Sequence, residues 1–427
     1  MAFILFGVLF VVLILGVPIG ISMGMGVLAA LTFGGTRVPS TIIVQRMFTA
    51  LDNFPFMAVP FFILAGDLMQ QGGISKRLLR FIHLICRRIP ARLAIITTIA
   101  SGFFGAISGS NPATVAAIGG IMIPEMKEVG YPEDSSAAVA AASGTLGVII
   151  PPSISMITYS LVASVSISTM FIAGIMPGLL LALTIIVVSL ILCGRYERGV
   201  QGKVSSKEIL AAFFDAIWAL LMPVIILGGI YGGIFTPTEA AAVACVYSFI
   251  ISVYVYRDIS YSDLPAIFTK SGISTAIVLF IVAVSSSFSW LMTSAGVPGQ
   301  ITRYLLASFS SKYTLFLMMN LSLLFLGCFL ETQSIILLMT PILLPLCVQL
   351  GMHPVALGLI IVVNTSIGMI TPPMAVNLYV ASSIAGVGIE RITIKILPYL
   401  FALIAVLIFV TYFPQALMWI PTLVGAQ

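Results

Sequence analysis

The chain has 427 residues, of which 60% are hydrophobic and only 8% charged, with a formal net charge of +5. An average soluble domain carries about 25% charged residues, so this composition cannot cover a water-facing surface, and 19 scattered Lys and Arg do not form the clustered basic face that nucleic acid requires. Two histidines are too few for a histidine metal site, and Cys86, Cys193, Cys245, Cys328 and Cys347 lie in or beside apolar runs without CxxC spacing, which argues against zinc and disulfide frameworks.

Apolar runs arrive from the start of the chain. Met1 to Val17 lacks the charged leader and cleavage site of a signal peptide and is expected to remain as the first helix. Further runs at 179–193 and 397–413 approach the length of about 20 residues that spans a bilayer, so the membrane is the solvent for most of the chain. Asp67, in Leu64-Ala65-Gly66-Asp67-Leu68-Met69, is a candidate cargo-facing carboxylate or a solvated helix end, and Asp52 and Asn53 are expected to cap a helix.

One fixed spacing recurs. Pro124 and Pro345, Gly130 and Gly351, Gly147 and Gly368, Pro151-Pro152 and Pro372-Pro373, and Pro177 and Pro398 superpose at a single offset without a gap. Upstream, Leu68-Met69 pairs with Leu291-Met292 and Gly73 with Gly296 at an offset only slightly larger. The chain therefore reads as two related halves, 1–204 and 205–427.

Each half is predicted to run as two spanning helices, an amphipathic connector (near 38–52 and 258–270), a third span, a helical hairpin, a broken helix and a last span. The first hairpin is expected over 93–128, with its tip at Gly109-Ser110-Asn111-Pro112, and the first broken helix over 134–166. Their counterparts are a hairpin over 313–349, with its tip at Glu331-Thr332-Gln333, and a broken helix over 354–386. Hairpin arms of about 16 residues, rising about 1.5 Å each, are too short to cross, so both hairpins are expected to be re-entrant.

Basic residues give the orientation, because cytoplasmic loops are enriched in Lys and Arg. Lys76, Arg77, Arg80, Arg87, Arg88, Arg92 and Lys127 flank the first hairpin, whereas only Arg303 and Lys312 flank the second. Threading the remainder puts Arg195, Arg198, Lys203, Lys207, Arg257, Lys270, Arg391 and Lys395 inside and Arg37 and Arg46 outside. The expectation is an all-α polytopic membrane protein of two inverted repeats, with about ten transmembrane helices, two re-entrant hairpins, two broken helices and both termini outside.

The breaks carry the chemistry. Ser143-Gly144-Thr145-Leu146-Gly147-Val148-Ile149-Ile150-Pro151-Pro152-Ser153 and Asn364-Thr365-Ser366-Ile367-Gly368-Met369-Ile370-Thr371-Pro372-Pro373 each hold a proline pair that removes amide donors and frees the preceding carbonyls. In hydrocarbon such a break survives only where protein or a water-lined cavity satisfies it. Freed carbonyls suit sodium, and half-helix N-termini favour an anion. The first tip adds the neutral oxygens of Ser108, Ser110, Asn111 and Thr114, and the second adds Glu331, Thr332 and Gln333. Singly, such Gly, Ser and Thr residues read equally well as close-packing residues; as a repeated constellation they read as two cation sites with a solute between them.

Phe61-Phe62-Ile63-Leu64-Ala65-Gly66, Gly109-Ser110-Asn111-Pro112-Ala113-Thr114, Gly147-Val148-Ile149-Ile150-Pro151-Pro152-Ser153 and Gly368-Met369-Ile370-Thr371-Pro372-Pro373 together resemble the large membrane subunit, of the DctM or SiaM type, of TRAP (tripartite ATP-independent periplasmic) transporters, over essentially the whole length. The resemblance implies a sodium-coupled, elevator-type carrier of organic acids in a bacterial inner membrane. Its cargo would come from a periplasmic binding protein, with sialic acid the first expectation and a C4-dicarboxylate the next. A small four-helix membrane subunit, expected as a separate polypeptide, completes the complex. By the same resemblance the sodium role falls to Ser108, Ser110, Asn111, Gly144, Gly147 and Ile150, and to Glu331, Thr332, Asn364, Thr365, Gly368 and Thr371. Ser153, Ser155, Thr158 and Asn377, just past the breaks, are the expected cargo contacts. The rival is a stand-alone sodium/divalent-anion symporter or an arsenite-type permease. An intramembrane enzyme would need a buried nucleophile with a base, or a metal cluster, which the spans do not offer.

Overall fold

A computed structural model describes residues 1–35, 39–197, 205–309 and 311–425; Arg37, Arg198, Lys203 and the boundary at 204 lie outside the described residues. In the first half the helices are α1 (Ala2–Ile14), α2 (Ile19–Phe33), α3 (Ser40–Leu51), α4 (Ala58–Gln71), α5 (Ile74–Ile85), α6 (Arg92–Ser108), α7 (Asn111–Thr114), α8 (Gly120–Val129), α9 (Glu133–Gly144), α10 (Ile154–Ala163) and α11 (Ile167–Cys193). The second half holds α12 (Ser206–Tyr231), α13 (Pro237–Ile250), α14 (Leu264–Ser294), α15 (Val297–Ser308), α16 (Lys312–Gly327), α17 (Thr332–Gln349), α18 (Pro354–Gly368), α19 (Val376–Ala385), α20 (Ile389–Tyr412) and α21 (Gln415–Val424). Among the described residues 6 helices are long and apolar enough to cross a membrane, or 7 if the bent pair α3–α4 counts as one span. At 13 and 15 residues α1 and α2 are shorter than that, although they pack along each other.

The hairpins are α6–α8, through a π turn at Val115–Gly119, and α16–α17. The broken helices are α9–α10, with a 3-10 turn at Thr145–Val148, and α18–α19. Every residue of α9 from Asp134 to Gly144 is buried, and the run Ser135-Ser136-Ala137-Ala138-Val139-Ala140-Ala141-Ala142-Ser143-Gly144 shows why: small side chains let neighbouring backbones close in.

The two halves differ at the connector. In the first, Pro55 follows Asn53-Phe54, and the chain bends by 63° between α3 and α4. In the second, the only nearby proline, Pro265, falls in the first turn of α14, where its missing N–H costs nothing, so connector and third span fuse into one helix of 31 residues. Asn53 precedes the Phe54–Met57 turn and Asp52 ends α3, and neither side chain makes a capping hydrogen bond.

Packing produces a main core, a smaller one, and a third small cluster of Leu68, Val253, Ile259 and Ile267. The main core joins both hairpins, both broken helices, α11 and α20. The smaller core joins α1, α2 and α14 and touches the second hairpin at Leu338 and Ile342. Within the main core the first arm of each hairpin packs on the first segment of its own half's broken helix, α6 on α9 and α16 on α18. The second arm packs on the far segment of the other half's broken helix, α17 on α10 and the α7–α8 arm on α19. The four elements interlock and bring both breaks together. Four of the five cysteines are buried and Cys245 is half-buried, and all five are free thiols.

Candidate transport site

Each hairpin reaches its break through a glycine pair. A Cβ on Gly105 would stand 2.7 Å from the Gly147 Cα, and a Cβ on Gly327 would stand 3.0 Å from the Gly368 Cα. No side chain fits in either approach. Beyond the first pair the tip turns at Gly109, whose φ of 60° is left-handed and suits glycine.

The fully buried Asn111 then couples three elements. Its Oδ1 accepts from the Val148 amide at 3.0 Å in the first break, and its Nδ2 donates to Ser366 Oγ at 2.7 Å in the second. Ser366 Oγ in turn donates to the Thr145 carbonyl at 2.6 Å, a bond between residues 221 apart. That separation is the repeat spacing itself, so the two breaks touch through equivalent positions.

Around Gly147 oxygens converge. Thr114 Oγ1 donates to the Ser110 carbonyl at 2.7 Å and lies 3.1 Å from Ser108 Oγ. A Cβ on Gly147 would sit 2.5 Å from that Ser110 carbonyl oxygen and 2.7 Å from Thr114 Oγ1. Gly144 is equally tight, against Val115 and the Asn111 carbonyl. Among the described residues the carbonyls of Gly147, Val148, Ile149 and Ile150 receive no backbone hydrogen bond outside regular helix, as expected ahead of a proline pair.

The second tip is arranged differently. Glu331 is exposed at the start of α17 without a capping bond, and Thr332 Oγ1 faces Met369 Sδ at 3.7 Å. The Cys328 carbonyl accepts from the Ala375 amide at 3.2 Å, tying the tip to the second break. Thr365 and Thr371 donate to carbonyls four residues back, those of Ile361 and Ile367. Asn364 Nδ2 donates to Asn320 Oδ1 at 2.9 Å, and Asn320 donates to Thr411 on α20, while Asn364 Oδ1 is buried without a hydrogen-bond partner. The equivalent pair in the first half is Thr98 with Ser143 at 3.0 Å.

Just past the breaks, Ser153, Ser155 and Thr158 on α10 and Asn377 on α19 are buried. Ser153 Oγ, Ser155 Oγ, Asn377 Oδ1 and, on the second tip, Gln333 Oε1 have no hydrogen-bond partner. A buried orphan of this kind costs about 1–3 kcal/mol, so these four, at or near half-helix starts, mark those starts as candidate places for a bound group. Thr158 instead donates to the Ile154 carbonyl within its helix. Asp67 follows Gly66, which abuts the first tip at Ile107 and Ser108, but its side chain is engaged elsewhere. Its carboxylate takes Lys270 Nζ and Ser271 Oγ, each at 2.6 Å, and ties α4 to α14. It is thus neither a solvated helix end nor turned to either break.

Sequence reasoning missed Thr145, Ser366, Gly105 and Gly327. For Thr145 and Ser366 a signal existed, since they occupy one position of the repeat inside both break motifs; the glycines stood outside every quoted motif.

The model described as "Tripartite ATP-independent periplasmic transporter, DctM component" matches residues 6–416. The chain belongs to this family. It is 39% identical to the C4-dicarboxylate TRAP transporter large permease protein DctM of Rhodobacter capsulatus, covering 99% of each chain. It is 34% identical to the sialic acid TRAP transporter large permease protein SiaM of Vibrio cholerae, covering 96% of this chain and 95% of that one. In fold it resembles the crystal structure of the Alcanivorax borkumensis YdaH transporter, with a TM-score of 0.63 at 15% identity over 90% of this chain and 88% of that one. As a TRAP large permease subunit the chain is a multi-pass inner-membrane transport protein and not an enzyme.

Proposed function

We propose that this TRAP large permease subunit uses a sodium gradient to import a small organic acid by an elevator movement. The observation that carries the reading is the pair of hairpin tips seated on two proline-broken helices, with unclaimed carbonyls and orphaned buried oxygens between them. Sodium is cargo here. The oxygens of Ser108, Ser110 and Thr114 beside Gly147 and the free carbonyls through Ile150 fit a hard cation, and Asn111 and Gly144 hold that tip in place. The second site would use Glu331, Thr332, the unclaimed Oδ1 of Asn364, Gly368 and the backbone around Thr371; Thr365 supports it from behind. Ser153 and Ser155, whose unpartnered hydroxyls can donate near the start of α10, suit the carboxylate of the solute, while the acceptor oxygens of Asn377 and Gln333 suit a solute hydroxyl or the cation. Asp67 has no part in this site.

The repeat is read as inverted, with hairpins entering from opposite faces, because Lys and Arg crowd the flanks of the first hairpin and are sparse at the second. The interlocked main core would be the moving body and the smaller core around α1, α2 and α14 part of the fixed frame. Family membership supports a small four-helix membrane subunit and a periplasmic binding protein as partners. Of the two cargo expectations, the C4-dicarboxylate is favoured over sialic acid by the greater identity to the R. capsulatus relative.

The test is uptake of radiolabelled succinate and sialic acid into proteoliposomes holding both membrane subunits, with and without a sodium gradient and the binding protein. Uptake that needs both supports the reading. Equal sodium-driven uptake without the binding protein would transfer the assignment to a stand-alone symporter.

A further inference from the structure

Besides the breaks, a second polar recess touches the moving elements. A cavity of about 320 Å³, at the small end of the ~300–1,000 Å³ range of ligand pockets, lies between α3, α14, α10 and α17. Its polar wall holds Arg46, Asn53, Ser286 and Ser289, and its apolar wall holds Leu161 and Leu337. Basic-residue counting assigns this face to the outside.

Arg46 is the charged group of the recess. No carboxylate forms an ion pair with it among the described residues, and its guanidinium stands 5.3 Å from the centre of the Trp290 ring. The indole face orients the fork without neutralising it. Ser286 and Ser289 are half-buried on the same wall, and the Asn53 side chain is not spent on helix capping. A guanidinium with neighbouring hydroxyls and an amide is a donor set matched to a carboxylate.

The recess also leads inward. Leu337 lies one helical turn beyond Gln333, whose Oε1 is orphaned, and Leu161 lies about two turns beyond Ser153 and Ser155 on α10, so the recess leads toward the transport site along both helices.

We propose that this recess is an outer vestibule in which Arg46, stacked on Trp290, receives a carboxylate of the incoming organic acid before the acid passes to the buried site. The inference rests on the transport reading above and adds to it a cargo-selecting residue outside the breaks.

The experiment measures sodium-driven uptake of succinate by the complete tripartite complex in proteoliposomes. Arg46→Gln is expected to raise the KM for succinate about tenfold to a hundredfold, the usual cost of a lost charge-assisted hydrogen bond. Half-saturation by sodium should stay unchanged, and Arg46→Lys should recover part of the loss. Arg303→Gln, on the same face but away from the recess, should behave as wild type. In parallel, the Ser289→Cys thiol should react with an impermeant cationic thiol reagent added outside, and succinate should slow that reaction. A wild-type KM in Arg46→Gln, or labelling indifferent to succinate, overturns the vestibule while leaving sodium-coupled transport standing. Absence of sodium-driven uptake by the wild-type complex overturns the transport reading instead, and the labelling then decides the vestibule alone.

Discussion

Replacing Asn111 with alanine removes the one side chain that holds both breaks at once. The Val148 amide is then left buried without its acceptor, at a cost of about 1–3 kcal/mol. Ser366 loses a donor but keeps its own bond to Thr145, so its share is nearer the net value of one hydrogen bond, about 1 kcal/mol. Together these give about 2–4 kcal/mol, which at 1.4 kcal/mol per decade corresponds to a change of roughly thirty- to several hundredfold in the equilibrium that seats the tip on the break. Since the seated tip presents Ser110 and Thr114 to Gly147, the loss should raise the sodium concentration for half-maximal uptake before it lowers the maximal rate. Uptake in proteoliposomes titrated with sodium reads this directly. A cycle with Ser366→Ala adds a check: because both substitutions break the same bond, the double variant should lose at least about 0.5 kcal/mol less than the sum of the singles. Wild-type sodium dependence in Asn111→Ala, or strict additivity in the cycle, would refute the reasoning.

Gly105→Ala should destabilise the protein by about 1–3 kcal/mol and abolish uptake, since its Cβ meets the Gly147 backbone; Gly120→Ala, in open space on the same hairpin, should do neither, as thermal unfolding in detergent will report. Glu197 is buried with Arg92 Nε at 2.8 Å while accepting from the Leu93 amide and Tyr131 hydroxyl, so Glu197→Gln should cost about 3 kcal/mol in the same assay. A smaller loss than that of the exposed-site variant Arg195→Gln would contradict it. At the base of the first hairpin, the hydrogen bond and charge of Lys127 hold the Glu133 carboxyl below the usual carboxylate range. A depressed carboxyl contributes above its unfolded pKa and loses that contribution as pH falls through the folded value. Amide exchange in 130–134 should therefore be constant from pH 7 to about 5, after correction for intrinsic rates, and accelerate below about 4; the Lys127→Met variant should lack the step.

Much of the architecture is legible in the sequence because its signals are local. Proline pairs end helices wherever they occur, apolar length announces burial in lipid, and one recurring spacing of Pro and Gly exposes the related halves. The sequence predicts a connector before the third span in both halves; the bend at Pro55 matches that in the first, whereas in the second Pro265 falls at a helix start and α14 runs on unbroken. What local signals do not carry is direction around a helix and the identity of distant neighbours. Nothing local foretold that Asp67 would meet Lys270, or that Asn364 would spend its amide on Asn320 and leave its Oδ1 unclaimed. Gly105 and Gly327 look like ordinary membrane-helix glycines until the hairpins fold back and their backbones meet the breaks. The residue types and spacing determined that two breaks and two polar tips exist; only the interlocking of four helical elements, far apart in the chain, decided that Asn111 joins them, because hydrogen-bond partners are chosen by position in space.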